Sequence, residues 1–333
     1  MLKFAIIGMG GLGKVHYQNA QELAETEMDI KLVALCDAAI SAFHTQTATD
    51  LGECNTEMEF SSYHLYDNVE SLLENEKLDF VIIALPTFIH EKIAVMAMNQ
   101  GIHVFCEKPM ALTSEQGEHM LRAAHENNVK LMIGHCLRYS EPYIMLKDII
   151  DGGKYGKVIS ADFFRISPIP NWTGWMLDET KSGGAALDLH IHEADLINWM
   201  FGRPSAVTSF ATNFKAKHES ISTVYHYEDK LVTAKADWGM PGCFKFQSGF
   251  TVRFENAVIV KNAEGMYLYP ESGEPVKLEP SKGKEYREEI VDFISCVRQD
   301  KESEVNPATD SYIALKIALA EKVSADACKA VKL

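Results

Sequence analysis

Short apolar runs alternate with segments of helical character along the first third of the chain. Phe4-Ala5-Ile6-Ile7 is apolar and partly β-branched, and Gly8-Met9-Gly10-Gly11-Leu12-Gly13 follows it at once. Residues 14–23 contain no proline and suit a helix, and residues 30–36 form a second apolar run that ends in Asp37. Residues 38–51 have helical character up to Gly52, and Met58-Glu59-Phe60 fits a short third strand. Asp67-Asn68-Val69-Glu70 has the form of a capping box and opens a helix that runs to Asn75. Residues 79–85 read as a fully buried strand stopped by Pro86. A helix over 91–100 closes at Gly101, a strand over 103–106 runs into Glu107-Lys108-Pro109, a helix opens at Thr113, and residues 129–133 make the last strand. Strand and helix in alternation are the mark of βαβ units on a parallel sheet.

Beyond residue 135 the pattern changes. Residues 139–150 predict a helix, 152–156 a glycine-rich turn and 157–166 a strand. The stretches 207–213, 222–227, 231–238, 244–254 and 257–260 alternate or are rich in aromatic and β-branched residues, with short polar turns between them. That pattern predicts a large, mainly antiparallel sheet. Residues 285–298 and 309–331 predict amphipathic helices. The expected fold is therefore α/β: a doubly wound parallel Rossmann sheet over 1–125, then an α+β domain over 126–333 with a large open sheet.

The first glycine triplet has the spacing Gly8-x-Gly10-x-x-Gly13 between a strand and a helix. Such glycines allow a tight turn, close approach of a pyrophosphate and close helix–strand packing, while the helix N-terminus attracts the anion. Asp37 stands near the expected distance, about 20 residues on, where a carboxylate accepts hydrogen bonds from ribose hydroxyls and repels a 2′-phosphate. Ala38-Ala39-Ile40-Ser41 includes no arginine to neutralise that phosphate. The expected cofactor is NAD rather than NADP.

The 333 residues are 47% hydrophobic and 24% charged, an ordinary globular balance. A net charge of −15 disfavours nucleic acid or an anionic membrane as partner. Seven scattered cysteines without a CxxC pair read as reduced thiols, which implies a cytoplasmic setting. The apolar start lacks a basic n-region and runs into the glycine loop, unlike a signal peptide, and no run approaches a membrane span of about 18 apolar residues.

Five blocks in order resemble the Gfo/Idh/MocA oxidoreductases, which include glucose–fructose oxidoreductase and inositol dehydrogenases. They are the glycine loop from Gly8 to Gly13, Leu85-Pro86-Thr87 with His90, Gly101 to Pro109 with its Glu107-Lys108-Pro109 tripeptide, Gly134-His135 with Arg138-Tyr139, and Ser182-Gly183-Gly184 leading to Asp188, His192 and Asp195. The resemblance implies NAD(P)-dependent oxidation or reduction of a sugar or polyol at one carbon, with Lys108, Asp188 and His192 as the catalytic set. It also implies cofactor contacts from Gly8, Met9, Gly10, Gly11, Leu12, Gly13, Asp37, Leu85, Pro86, Thr87, His90, Glu107 and Lys108. A cis Lys108–Pro109 bond and a homodimer or homotetramer through the second-domain sheet follow from the same resemblance. Two rivals stay open: a dinucleotide-dependent sugar sensor without turnover, and an enzyme that uses tightly bound NAD transiently.

The residues themselves point the same way. An ammonium at Lys108, beyond a buried strand of a parallel sheet, can bind a hydroxyl and stabilise a developing alkoxide. Asp188, His192 and Asp195 fall four and three residues apart, on one face of a helix, and a neutral imidazole can take a hydroxyl proton. His192 is the expected base, Asp188 its partner, and Asp195 either orients the histidine or serves packing. His190 stands where the family often has glycine and Ala185 where it often has a third one; His190 is expected to line the substrate pocket. Residues 190 and 192 would not share a helix face, so no metal is expected. Trp172 and Trp175 suit the apolar face of a sugar ring or, equally, interdomain packing. Arg138 and Tyr139 either contact substrate or brace the hinge. His16 and His135 read as packing or capping residues, and Cys106 as a small buried residue.

Overall fold

The computed structural model describes residues 1–26, 28–40, 60–170, 174–281 and 283–333. The helix expected over 38–51 and most of the short strand expected at 58–60 lie outside the described residues. The chain forms two compact units. The first comprises Met1–Ala111, Glu115–Gly134 and Tyr286–Ala308, and the second Leu112–Ser114, His135–Glu285 and Thr309–Leu333. The expected division into contiguous halves at 125/126 is thus corrected: the chain returns to its first unit late.

The first unit contains β1 (Leu2–Ile7), α1 (Gly11–Ala24), β2 (Ile30–Cys36), β3 (His64–Tyr66), α2 (Val69–Asn75) and β4 (Phe80–Ile83). They are followed by α3 (His90–Met98), β5 (His103–Glu107), α4 (Ser114–Glu126) and β6 (Leu131–Gly134). The six strands lie in the order β3-β2-β1-β4-β5-β6, and every pair is parallel. The third strand is therefore His64–Tyr66, an edge strand that pairs with β2 alone and is largely exposed. β4 is buried at every position, as expected of a central strand covered on both faces. At α2 the cap is Asn68, whose side chain accepts the Ser71 N–H, while Asp67 accepts from the Asn68 amide. The anticipated box pairing of Asp67 with Glu70 is replaced by this Asn cap.

The core of the first unit is aromatic. Phe4 stacks on Phe80 with centroids 4.6 Å apart, and Phe293 meets Phe80 and Phe105 edge-on at 5.6 and 5.8 Å. Ile290, Phe293, Ile294 and Cys296 bury the apolar face of the late helix in that same cluster. This burial is why residues 286–308 belong with the coenzyme-type sheet, although a helix with one apolar stripe gives no sign of which core it will cover.

The second unit begins with α5 (Glu141–Gly152), which has proline in its first turn and ends on Gly153 at φ 62°, where glycine is favoured. After β7 (Val158–Pro168) come three helices, α6 (Glu179–Ser182), α7 (Ala185–Asp188) and α8 (Ile191–Phe201). The strands β8 (Ala206–Thr212), β9 (Ser220–His226), β10 (Leu231–Met240), β11 (Gln247–Phe254) and β12 (Ala257–Asn262) match the predicted runs. Two further strands, β13 (Gly265–Pro270) and β14 (Val276–Leu278), extend the sheet. The last elements are α9 (Glu285–Gln299), which packs in the first unit, then α10 (Ala308–Ala327) and β15 (Val331–Lys332). The sheet order is β14-β13-β12-β11-β7-β10-β9-β8-β15, with only the β7–β10 pair parallel. No helix among the described residues is long and apolar enough to cross a membrane.

Phe293 is 0% exposed and touches two rings of the first-unit core. Phe293→Ala is expected to lower unfolding free energy by about 3–5 kcal/mol in urea titration. A loss under about 1 kcal/mol would place α9 outside that core.

Candidate active site

The glycine loop leaves β1 and enters α1 through a very close backbone approach. Gly8 has φ +96°, and a Cβ there would lie 2.4 Å from the Ala84 carbonyl oxygen. A Cβ at Gly13 would lie 1.9 Å from the carbonyl oxygen of Gly8, so only glycine lets helix and strand meet at this distance. Around Gly10 and Gly11, by contrast, a Cβ would meet nothing within 4 Å. The helix starts on Gly10 with no side-chain cap and no acidic residue in its first turn. These are the conditions for a pyrophosphate on the helix N-terminus.

Asp37 closes the other side of the loop. Its Oδ2 accepts the Met9 N–H at 2.8 Å and its Oδ1 accepts the Ala39 N–H at 2.9 Å. Each oxygen accepts one loop N–H and retains further acceptor capacity, so a half-buried carboxylate is held ready for ribose hydroxyls. The loop and Asp37 therefore fit NAD on their own geometry.

Leu85 and Pro86 follow β4, and Thr87 begins a single 3-10 turn before α3. His90 is fully buried, with Nε2 2.7 Å from the Leu85 carbonyl and Nδ1 2.9 Å from that of Pro109. Burial depresses its pKa and favours the neutral ring. His90 thus ties the Leu85-Pro86-Thr87 turn to the Lys108-Pro109 turn, rather than presenting itself to a ligand. The Lys108–Pro109 peptide is cis, and Lys108 is half-buried beyond the carboxyl end of β5. Glu107, the last residue of β5, is only 3% exposed and lies 2.6 Å from His16 Nε2. Burial pushes the Cys106 thiol well up, with Glu107 adding to the effect, which leaves no thiolate there.

In the second unit, Asp188 and His192 do not share one helix. Asp188 is the last residue of α7, His192 lies in the first turn of α8, and Leu189-His190 makes the break. Both are half-buried. Asp195 faces elsewhere: it receives two bonds from Arg138, Nε to Oδ2 at 3.0 Å and Nη2 to Oδ1 at 2.7 Å. Arg138 also donates to Asp310 at 3.1 Å, and the His135 ring approaches Asp195 at 3.6 Å. Arg138 is 0% exposed, so of the two roles open to it, substrate contact or brace, its bonds to Asp195 and Asp310 fit a buried brace at the start of α8. Tyr139 is half-buried at the end of a short 3-10 turn.

His190 is likewise corrected. It is 0% exposed, and its Nε2 lies 3.3 Å from the Tyr225 hydroxyl and 3.6 Å from Glu321 Oε2. Burial lowers its pKa to about 3 and raises that of Glu321 to about 8. At neutral pH both are uncharged, the cheap solution for a histidine and a carboxyl enclosed together. A glycine-for-histidine difference at this position therefore changes the interior, not a pocket wall. Trp175 packs beside Met176, Ala185 and Trp238, and Trp172 lies outside the described residues.

Buried charge escaped sequence reading most. Arg165 on β7 donates to Glu193 on α8 at 2.8 Å, and both are almost fully buried. Among the described residues the one set of three such side chains close enough to share a metal is His16, Glu107 and Glu289, not the Asp188–Asp195 stretch. Nothing in the local sequence around Glu193, Glu289 or Glu321 separates them from ordinary surface glutamates.

Two family models match the chain. The oxidoreductase family with an NAD-binding Rossmann fold covers residues 2–135, and the GFO/IDH/MocA C-terminal domain covers residues 143–269. The inositol 2-dehydrogenase of Salmonella typhimurium LT2 is 31% identical over 202 residues, 60% of this chain and 54% of that protein. The chain thus spans about half the length of that relative. The D-glucoside 3-dehydrogenase of Escherichia coli K12 is 28% identical over 251 residues, 74% of this chain and 68% of that protein. The fold matches levoglucosan dehydrogenase in complex with NADH and levoglucosan at a TM-score of 0.83 and 20% identity, over 100% of this chain and 99% of that one.

Two outcomes test this account. Removing Arg138 leaves the Asp195 carboxylate buried without its partner, so Arg138→Ala should cost about 3–5 kcal/mol in chemical denaturation. For Glu321, the folded pKa of about 8 lies above the ordinary 4.5, so its stabilising contribution is full below pH 4.5 and fades as pH rises through 8. Glu321→Gln should flatten the fall in denaturation midpoint between pH 5 and pH 8; an unchanged fall contradicts a neutral carboxyl.

Proposed function

The chain belongs to the Gfo/Idh/MocA oxidoreductase family, and from that premise we propose that it is an NAD-dependent dehydrogenase of a sugar, inositol or related polyhydroxy compound. The observation that carries the reading lies within the first unit. The glycine loop after β1 and Lys108 after β5 stand at the same carboxyl edge of the six-stranded parallel sheet, where α/β sheets take their ligands. Inositol 2-dehydrogenase and D-glucoside 3-dehydrogenase among its relatives support a polyhydroxy substrate.

Bound NAD supplies the acceptor for the two electrons and hydrogen that leave the carbinol carbon. The remaining work belongs to side chains. The Lys108 ammonium donates to the reacting oxygen and stabilises it as its proton departs. His192 takes that proton, and Asp188 supports the imidazole as it becomes charged. Asp37 favours NAD over NADP, because its carboxylate would face the extra phosphate and residues 38–41 contain no arginine. A cytoplasmic setting and a homo-oligomer built through the second-unit sheet complete the proposal. Phe210, Val224 and Leu231, exposed at 60%, 37% and 55% on adjacent strands, support that use of the sheet.

The test is NADH absorbance with purified protein against a panel of inositols, sugars and polyols. Turnover with at least one compound is expected, and Lys108→Ala and His192→Ala should each lower kcat/KM by about 10²–10⁴, with NADH affinity in His192→Ala within about threefold of wild type. NADH binding without any turnover would replace the dehydrogenase with a sensor. Sugar conversion without accumulating NADH would mean the coenzyme is reoxidised in place.

A further inference from the structure

Glu107 ends β5 with a carboxylate that is almost completely enclosed, an expensive arrangement unless each oxygen is engaged. Its neighbours come from distant parts of the first unit. Oε1 lies 2.6 Å from Nε2 of His16 in α1, and Oε2 accepts the backbone N–H of Lys108 at 3.2 Å. Gly134 stands opposite Glu107 in the β5–β6 register, where a Cβ would come within 3.0 Å of Oε2. The neighbouring strand thus leaves space for this carboxylate. Glu289 of α9, 0% exposed, brings a second carboxylate oxygen within 4.8 Å of both partners. The imidazole itself is 1% exposed and is set edge-on against Phe105 and Tyr286, at 5.6 and 6.4 Å.

With two enclosed carboxylates close to one imidazole, the 2.6 Å contact from Nε2 to Oε1 is the link that holds the Glu107 carboxylate to α1. The ring cannot swing away, because aromatic neighbours flank it. The carboxylate it holds cannot turn without giving up the Lys108 N–H. The backbone from which the Lys108 side chain departs is therefore fixed by α1, the helix that opens at the glycine loop.

We propose that His16 is a positioning residue for Lys108: by clamping the Glu107 carboxylate it sets where the ammonium reaches. The proposal rests on Lys108 being the group that binds the reacting oxygen. Misplacement of a reacting group by about 1 Å costs on the order of 10²-fold in rate, which sets the scale of the effect.

The test compares His16→Leu, His16→Asn and His16→Gln in the full chain with the wild type. Glutamine places an N–H near the position of Nε2; asparagine is too short, and leucine has no donor. With a compound that the wild type oxidises, His16→Leu and His16→Asn should lower kcat about 10²-fold, with NADH affinity within about threefold of wild type. His16→Gln should recover kcat to within about fivefold. Wild-type kcat in both His16→Leu and His16→Asn overturns the clamp, as does equal loss in all three variants. Loss of wild-type activity in EDTA, restored by added Zn²⁺, also overturns it, because His16 would then be a metal ligand rather than the clamp on Glu107. If the wild type turns over nothing on the panel, the dehydrogenase reading falls separately. The clamp is then read from the rate at which trinitrobenzenesulfonate labels Lys108, followed by peptide mass spectrometry. That rate should change in His16→Leu and His16→Asn but not in His16→Gln, and identical rates in all four proteins overturn it.

Discussion

The first unit depends on one backbone contact, the carbonyl of Gly8 against the α-carbon of Gly13. No side chain can occupy that space, so α1 starts almost on top of the strand that precedes it. Its unpaired N–H groups then point out beside Gly10, where nothing intrudes. The same approach carries His16, one turn further on, down to the end of β5. A single steric demand thus orders both the anion-binding end of the helix and the residue that grips Glu107.

The sequence made the parallel sheet and its loop plain, because both rest on local signals. β4 is apolar throughout, Pro86 cannot extend a strand, and Gly8, Gly10 and Gly13 have roles that only glycine fills. The larger sheet was equally visible up to Val260, through alternation. Beyond it, Gly265–Pro270 alternates as well but is bounded by glycine and proline, and Val276–Leu278 is only three residues long, too short to show a period. The path of α9 was not legible, since an amphipathic helix records that it covers something and not what. Spacing also misled at Asp188 to Asp195: a regular helix would align these residues, but Leu189-His190 breaks the chain between α7 and α8. Lys108, Asp37 and the glycines stood out by their local setting, whereas the burial of Arg138 and His190 is a tertiary property that neighbouring residues do not record.

Polar groups in the second unit's interior follow two rules. Where an arginine is at hand, it is paired with the carboxylate, as in Arg138 with Asp195 and Arg165 with Glu193. Where none is, the group is kept neutral, as in Glu321 beside His190, with the carboxyl pushed up to about 8 and the imidazole down to about 3. Both solutions fasten α8 from below: His190 precedes it, and Glu193 and Asp195 lie in its first turns. The half-buried Asp188 and His192 are thereby carried on elements tied down by these buried pairs.

The late return of the chain has a consequence for biosynthesis. Phe80 and Phe105 emerge early from the ribosome, yet the ring that covers them, Phe293, is made only after strands β7 to β14 of the second sheet. The nascent dinucleotide-type sheet must wait with part of its apolar surface bare, and residues 286–308 are what allow it to close. Completion of the first unit is in this way made conditional on synthesis of most of the second.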